Sequence, residues 1–152
     1  MIFPINTTKN PDQYKILKTP ALPVIEITAI EREFISSLAE TCVSFKHCVG
    51  LAANQVWINK DVLPPAIFVA RVLPDRSKCL VCINPTIIKK WGSRKKVTEG
   101  CLSKSRDSRL WRQDRIDLNF LDEFGINQSL SFVGFGAQII QHECNHLQGI
   151  LI

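Results

Sequence analysis

The chain is predicted to be an α+β domain: mixed or antiparallel β-sheets packed around a C-terminal helix, with another helix near the N-terminus. Three observations carry this. An amphipathic stretch with its own cap follows residue 28, several short apolar runs bounded by breakers fill the middle, and a second helical segment near the end carries two histidines four residues apart.

In chain order, Met1 to Pro23 contains four prolines and reads as an extended arm on the surface. Thr28-Ala29-Ile30-Glu31 fits a capping box. Ile30, Phe34, Ile35, Leu38, Cys42 and Phe45 then recur at helical spacing, giving a first helix of about four turns whose stripe is core. Pro64-Pro65 precedes the apolar run Ala66 to Ala70, and Cys79 to Ile83 precedes Asn84-Pro85; both read as buried strands. Further strands are expected at Ile87 to Trp91, Ile116 to Leu121 and Ser129 to Phe132, with Asp122-Glu123-Phe124-Gly125 as a hairpin turn between the last two. The final helix starts between Ser131 and Gly136 and ends at Gly149, where glycine suits a left-handed C′ position.

With 152 residues, 45% of them hydrophobic, the chain is long enough to form one domain over residues 1–152 that buries roughly two thirds of its surface. It contains no apolar run of membrane-spanning length and no signal-peptide pattern. The six cysteines are therefore read as reduced thiols in a cytoplasm. Cys79 and Cys82 have C-x-x-C spacing, but three residues apart on a strand they face opposite ways, so they read as buried structural thiols rather than a metal pair. Cys42 is placed on a helix face and Cys48 in a tight loop, with no chemistry assigned to either.

The net charge of +5 is unevenly distributed: Lys89 to Arg115 carries +7 and the remainder −2. Such a stretch suits either a solvated sheet edge or a transient contact with an anionic surface such as ribosomal RNA. No aromatic interleaving of the base-stacking kind is read among these charges, so sequence-specific nucleic-acid recognition is not expected.

Chemistry enters at His142-Glu143-Cys144-Asn145-His146. On a helix, positions i and i+4 share a face, so both imidazoles can reach one metal while Glu143 stands beside it as a base. Only Leu147 to Ile152 follow, and none offers a His, Cys or carboxylate side chain, so a third ligand must lie upstream. Upstream donors are five of the six cysteines, His47 and the carboxylates. Cys101, set within Glu99-Gly100-Cys101-Leu102-Ser103, would complete a Cys-His-His site with one open position, as in catalytic metal sites. The loop from Cys48 through Gln55 has small residues that let a ligand approach the backbone, and the Gln55 amide can donate to a developing oxyanion.

These three segments, in this order, resemble the signature motifs of the peptide deformylases: G-x-G-L-A-A-x-Q, E-G-C-L-S and Q-H-E-x-D-H-L-x-G. The resemblance extends from Tyr14-Lys15-Ile16-Leu17 through Ile83-Asn84-Pro85 to the end. It implies metal-dependent hydrolysis of the formyl group from N-formylmethionyl peptides, releasing formate. Cys101, His142 and His146 would bind one divalent ion, with Fe²⁺ first and Zn²⁺, Ni²⁺ or Co²⁺ able to substitute. Glu143 would be general base and acid, while Gln55 and the Leu102 backbone N–H stabilise the oxyanion. Val49 and Gly50 would line the bound peptide, and Glu99, Gly100 and Ser103 would hold the motif in shape. A monomer in a bacterial cytoplasm, or in that of a phage-infected host, is expected.

Departures from the pattern are Cys48 in place of the first glycine and Asn145 in place of the aspartate, with Arg109 and Arg112 as candidate partners of Asn145. The segment after Ser103 also lacks the usual Ile-Pro, and the sequence stops shortly after Gly149, as in short deformylases of some bacteriophages. The alternative readings are a homologue that binds formyl-Met or nascent peptides with weak or no catalysis, a metallopeptidase, and a structural Cys/His zinc module. The intact Glu143 and full ligand set argue against the first, the glutamate beside His142 against the last, and the Glu99–Ser103 match against the metallopeptidase.

Overall fold

The computed structural model describes residues 1–152. Its elements are α1 (Pro11–Leu17), α2 (Ala29–Ser44), β1 (Gly50–Ala52), a 3₁₀ turn (Ala53–Gln55), β2 (Ile67–Ala70), β3 (Leu80–Glu99), β4 (Ser108–Leu121), β5 (Asn127–Val133) and α3 (Gly134–Leu147). The five strands form one sheet in the order β1-β2-β3-β4-β5, and every pairing is antiparallel.

Alternation along the strands divides the core. Phe68, Ala70, Cys82, Ile116, Leu118 and Phe120 face α3 and pack with Ala137, Ile140 and Cys144. Their neighbours Ile67, Val69, Val81 and Ile83 face the other way and pack with Ile35, Leu38 and Cys42 of α2. α3 and α2 therefore pack on opposite faces of the sheet. No helix is long and apolar enough to cross a membrane.

Several expectations need correction. The N-terminal arm contains α1, because Asn10 accepts hydrogen bonds from the Asp12 and Gln13 N–H groups, Pro11 suits the first turn, and Leu17 is fully buried. The stripe on α2 is narrower than its sequence period: Ile30 is 77% exposed and Phe45 lies past the helix end at 36%. The capping box at Thr28 and Glu31 is present.

Asn84-Pro85 does not end a strand. Asn84 adopts φ +49°, a register shift falls between Ile83 and Thr86, and the Asn84 side chain accepts from Val24 N–H (2.7 Å) and donates to Val24 O (2.8 Å). The two expected strands are thus one bulged strand, β3. Cys79 and Cys82 lie on opposite sides of the sheet as expected, but Cys79 is only half-buried.

The basic stretch is the long β3–β4 hairpin, and its register does interleave aromatics with charge. Trp91 lies opposite Arg115 and Trp111 opposite Lys96. They are twenty residues apart in sequence and share a face only through strand pairing.

Candidate active site

α3 has no side-chain cap at its start, and Gly134, at φ +60°, makes the turn out of β5. Its end is a Schellman motif, with Gly149 N–H donating to His146 O (2.9 Å), Ile150 N–H to Asn145 O (2.9 Å), and Gly149 at φ +71°. This fixes the last turn, and Asn54, itself fully buried, donates to His146 O at 2.6 Å and holds that turn against the loop after β1.

On the inward face of α3, His142, Glu143 and His146 are all buried. Cys101 arrives from the turn that ends β3. Its Sγ lies 3.3 Å from His146 Nε2, the two Nε2 atoms are 3.1 Å apart, and the three donor atoms all lie within 4.8 Å of one another. His142 Nδ1 donates to Glu99 Oε1 at 2.8 Å, leaving the Nε2 lone pair directed at the other two donors. A thiol and two imidazoles converging in this way fit a divalent metal ion.

Glu99 anchors the arrangement. It accepts two hydrogen bonds from Arg112, Nε to Oε2 (2.9 Å) and Nη2 to Oε1 (2.8 Å), in a pair that is nearly fully buried. Arg112 Nη1 also donates to Asn145 Oδ1 at 2.6 Å, so Arg112 and not the exposed Arg109 partners Asn145. Burial alone would raise the Glu99 pKa, but hydrogen bonds from Arg112 and His142, with their charges, hold it at about 2. Burial pushes Glu143 up to about 8, raises the Cys101 thiol, and lowers His146 to about 3. A cation among these groups would oppose the shifts of Glu143 and Cys101 by favouring their anions.

Gln55 is buried. Its Oε1 accepts from Ala52 N–H (3.0 Å), which turns its Nε2 toward Ser103 Oγ (3.2 Å) and Cys101 Sγ (3.5 Å). Gly50 lies on edge strand β1, and a Cβ there would overlap Glu143 Oε1 and come within 2.8 Å of its Cδ. Oε2 of Glu143 and Nδ1 of His146 are buried without a partner.

A cavity of about 390 Å³ opens over these groups, and all of the expected site residues except Ser103, Asn145 and His146 line it. The sequence reading missed Phe135, Gln138 and Ile139 on its α3 wall and Thr98 on β3, since nothing in the sequence alone marks a pocket wall. His47, weighed as a metal donor, lies on the exposed part of the lining and outside the donor cluster. Cys48 also lines the cavity, donates to Gly50 O (3.1 Å), and sits 3.5 Å from Cys42 Sγ.

Residues 2–152 match the family model for polypeptide deformylase. A peptide deformylase from Clostridium beijerinckii is 35% identical over 128 residues, which span 84% of this chain and 88% of the relative. The crystal structure of peptide deformylase from Thermotoga maritima superposes with a TM-score of 0.85 at 27% identity, covering 99% of this chain and 95% of that one. The Met-Ala-Ser-bound class I type b peptide deformylase from Acinetobacter baumannii gives 0.83 at 25%, covering 99% and 96%. A family match over residues 2–152, with a relative 35% identical over most of both chains and a shared fold, means that the chain belongs to the polypeptide deformylase family.

Proposed function

We propose that residues 1–152 act as one catalytic unit that hydrolyses the formyl group from N-formylmethionyl peptides. The observation that carries this is the convergence of Cys101, His142 and His146 within 4.8 Å beside buried Glu143, at the floor of the cavity. A divalent ion held by these three residues supplies Lewis acidity and lowers the pKa of a water to near neutrality. Fe²⁺ is the first choice, with Zn²⁺, Ni²⁺ and Co²⁺ able to occupy the same donors.

Glu143 takes a proton from the attacking water and returns it to the departing amine, giving formate and a free N-terminus. Burial raises its proton affinity above that of an ordinary carboxylate while a bound cation would draw it back down, and those opposed influences suit a group that both takes and returns a proton. Gln55 Nε2 and the Leu102 N–H donate to the oxyanion of the tetrahedral intermediate. Val49 and Gly50 line the peptide, which adds as a strand to the open edge of β1. Glu99, Gly100, Ser103 and Asn145 position these groups: Glu99 orients His142, Ser103 holds Gln55, and Asn145 shares Arg112 with Glu99.

The enzyme works as a monomer in a bacterial cytoplasm, including that of a phage-infected host, on chains still attached to the ribosome. The basic residues 89–115 make a transient contact there. The test is formate release from formyl-Met-Ala-Ser by protein loaded anaerobically with Fe²⁺ or Ni²⁺, beside Glu143→Ala. Metal-dependent turnover that this variant abolishes, with its metal retained, is the expected result. Folded, metal-loaded protein with no turnover would favour a peptide-binding homologue instead.

A further inference from the structure

The outer face of the β3–β4 hairpin, turned away from α3, has a composition that the active site does not explain. Strand pairing brings Lys89, Trp91, Arg94 and Lys96 of β3 onto one face with Arg109, Trp111 and Arg115 of β4. The register shift between Trp91 and Arg94 keeps the alternation in phase; without it these two would face opposite ways. Three of these five Lys and Arg also lie over an indole: Arg115 is 4.9 Å and Lys89 5.5 Å from the Trp91 ring centroid, and Arg94 5.5 Å from that of Trp111. Trp111 is 53% exposed. The one carboxylate on this face, Asp117, is engaged by Trp91 Nε1 and Ser131 Oγ. Lys95 and Asp114 pair with each other on the hairpin.

We infer that this face binds single-stranded RNA without sequence preference, by stacking bases on Trp111 and Trp91 while the surrounding Lys and Arg engage phosphates. Trp111 and the Arg115 that flanks Trp91 are four residues apart on β4, roughly 13 Å, with cations between and around the two indoles. Spaced π-faces inside a positive field are how sequence-tolerant single-strand binding is built. A purely acidic peptide such as poly-glutamate would satisfy the charges but has no ring to stack. The inference deepens the ribosome contact proposed above, by naming the face and the chemistry, and does not depend on the hydrolytic activity.

The experiment is fluorescence anisotropy of a labelled short oligoadenylate with the full chain across a salt series, using Trp111→Ala and the Arg94→Ser/Lys96→Ser double variant. Trp111→Ala should weaken binding by about 5-fold to 150-fold without changing the slope of log K against log salt. The double variant should reduce that slope by about 1.4. Formate release and thermal stability should match the parent in both, since these side chains are exposed and outside the cavity. Unchanged affinity in Trp111→Ala would overturn the inference, as would equally tight binding of poly-glutamate or of anionic phosphatidylserine vesicles. Ribosome co-sedimentation with the same proteins separates the two readings. Oligoadenylate binding without ribosome association would leave this inference standing and remove the ribosome contact; ribosome association that survives loss of oligoadenylate binding would assign that contact to another surface.

Discussion

Gly50 shows how a single hydrogen atom in place of a methyl group shapes the site. A Cβ at this position would occupy the space of the Glu143 carboxylate, so Gly50→Ala must displace the proposed base. A shift of about 1 Å in a reacting group costs on the order of 100-fold. We expect kcat/KM for formyl-Met-Ala-Ser to fall by at least that factor while the metal stays bound, and unchanged kinetics would show that the carboxylate moves freely. Asn145→Asp tests the other departure. Arg112 already binds Glu99 through two nitrogens and reaches Asn145 with a third, so a carboxylate there adds charge to an arginine already paired. Activity and stability should improve only modestly, and a gain in kcat/KM above tenfold would show that the missing charge matters more. The proposed ligands, the proposed base and Gln55 can be picked out in sequence because each motif is local, and the fold brings them together. Asn54 and Arg112 are less legible there, since their contacts with α3 span 92 and 33 residues and depend on how distant elements meet.

At the scale of elements, the longer helices and strands announce themselves and the shortest elements do not. The capping box of α2 and the glycine end of α3 are local chemistry, whereas α1 is only seven residues and β1 only three, too short for a period to register. Asn84-Pro85 reads as a terminator by local rules, yet the strand continues because Asn84 tolerates a left-handed backbone and its amide pairs with both polar groups of Val24. Asn84→Ala loses both hydrogen bonds and retains the positive φ, so it should destabilise the fold by about 2–4 kcal/mol. Asn84→Gly relieves the backbone and should cost less. Urea unfolding of the three proteins checks the order, and an alanine variant as stable as the parent would mean that neither the amide nor the φ matters.

Across the whole molecule, the proposed metal site joins the end of β3 to α3, which packs on the sheet face opposite α2. The sheet packed against α3 is as expected from sequence, but that α2 covers the opposite face is not legible there, because apolar periods give an element its buried face but not the neighbour that covers it. A cation bridging Cys101 to His142 and His146 binds the folded chain and not an extended one, in which the donors are separated by about forty residues. Binding must therefore stabilise the fold, by about 2.7 kcal/mol when free metal stands at 100 times its dissociation constant. In a chain of this size that corresponds to a Tm rise of roughly 5–11 °C. Adding Ni²⁺ to metal-stripped protein should produce this rise and a chelator should reverse it, whereas Cys101→Ala should show a much smaller response because one of the three proposed ligands is gone. The shift is measured without turnover, so it separates metal binding from catalysis. An equal rise in Cys101→Ala would place the ion away from the Cys101 thiolate, and no rise in the parent despite bound metal would mean that the unfolded chain binds it as well.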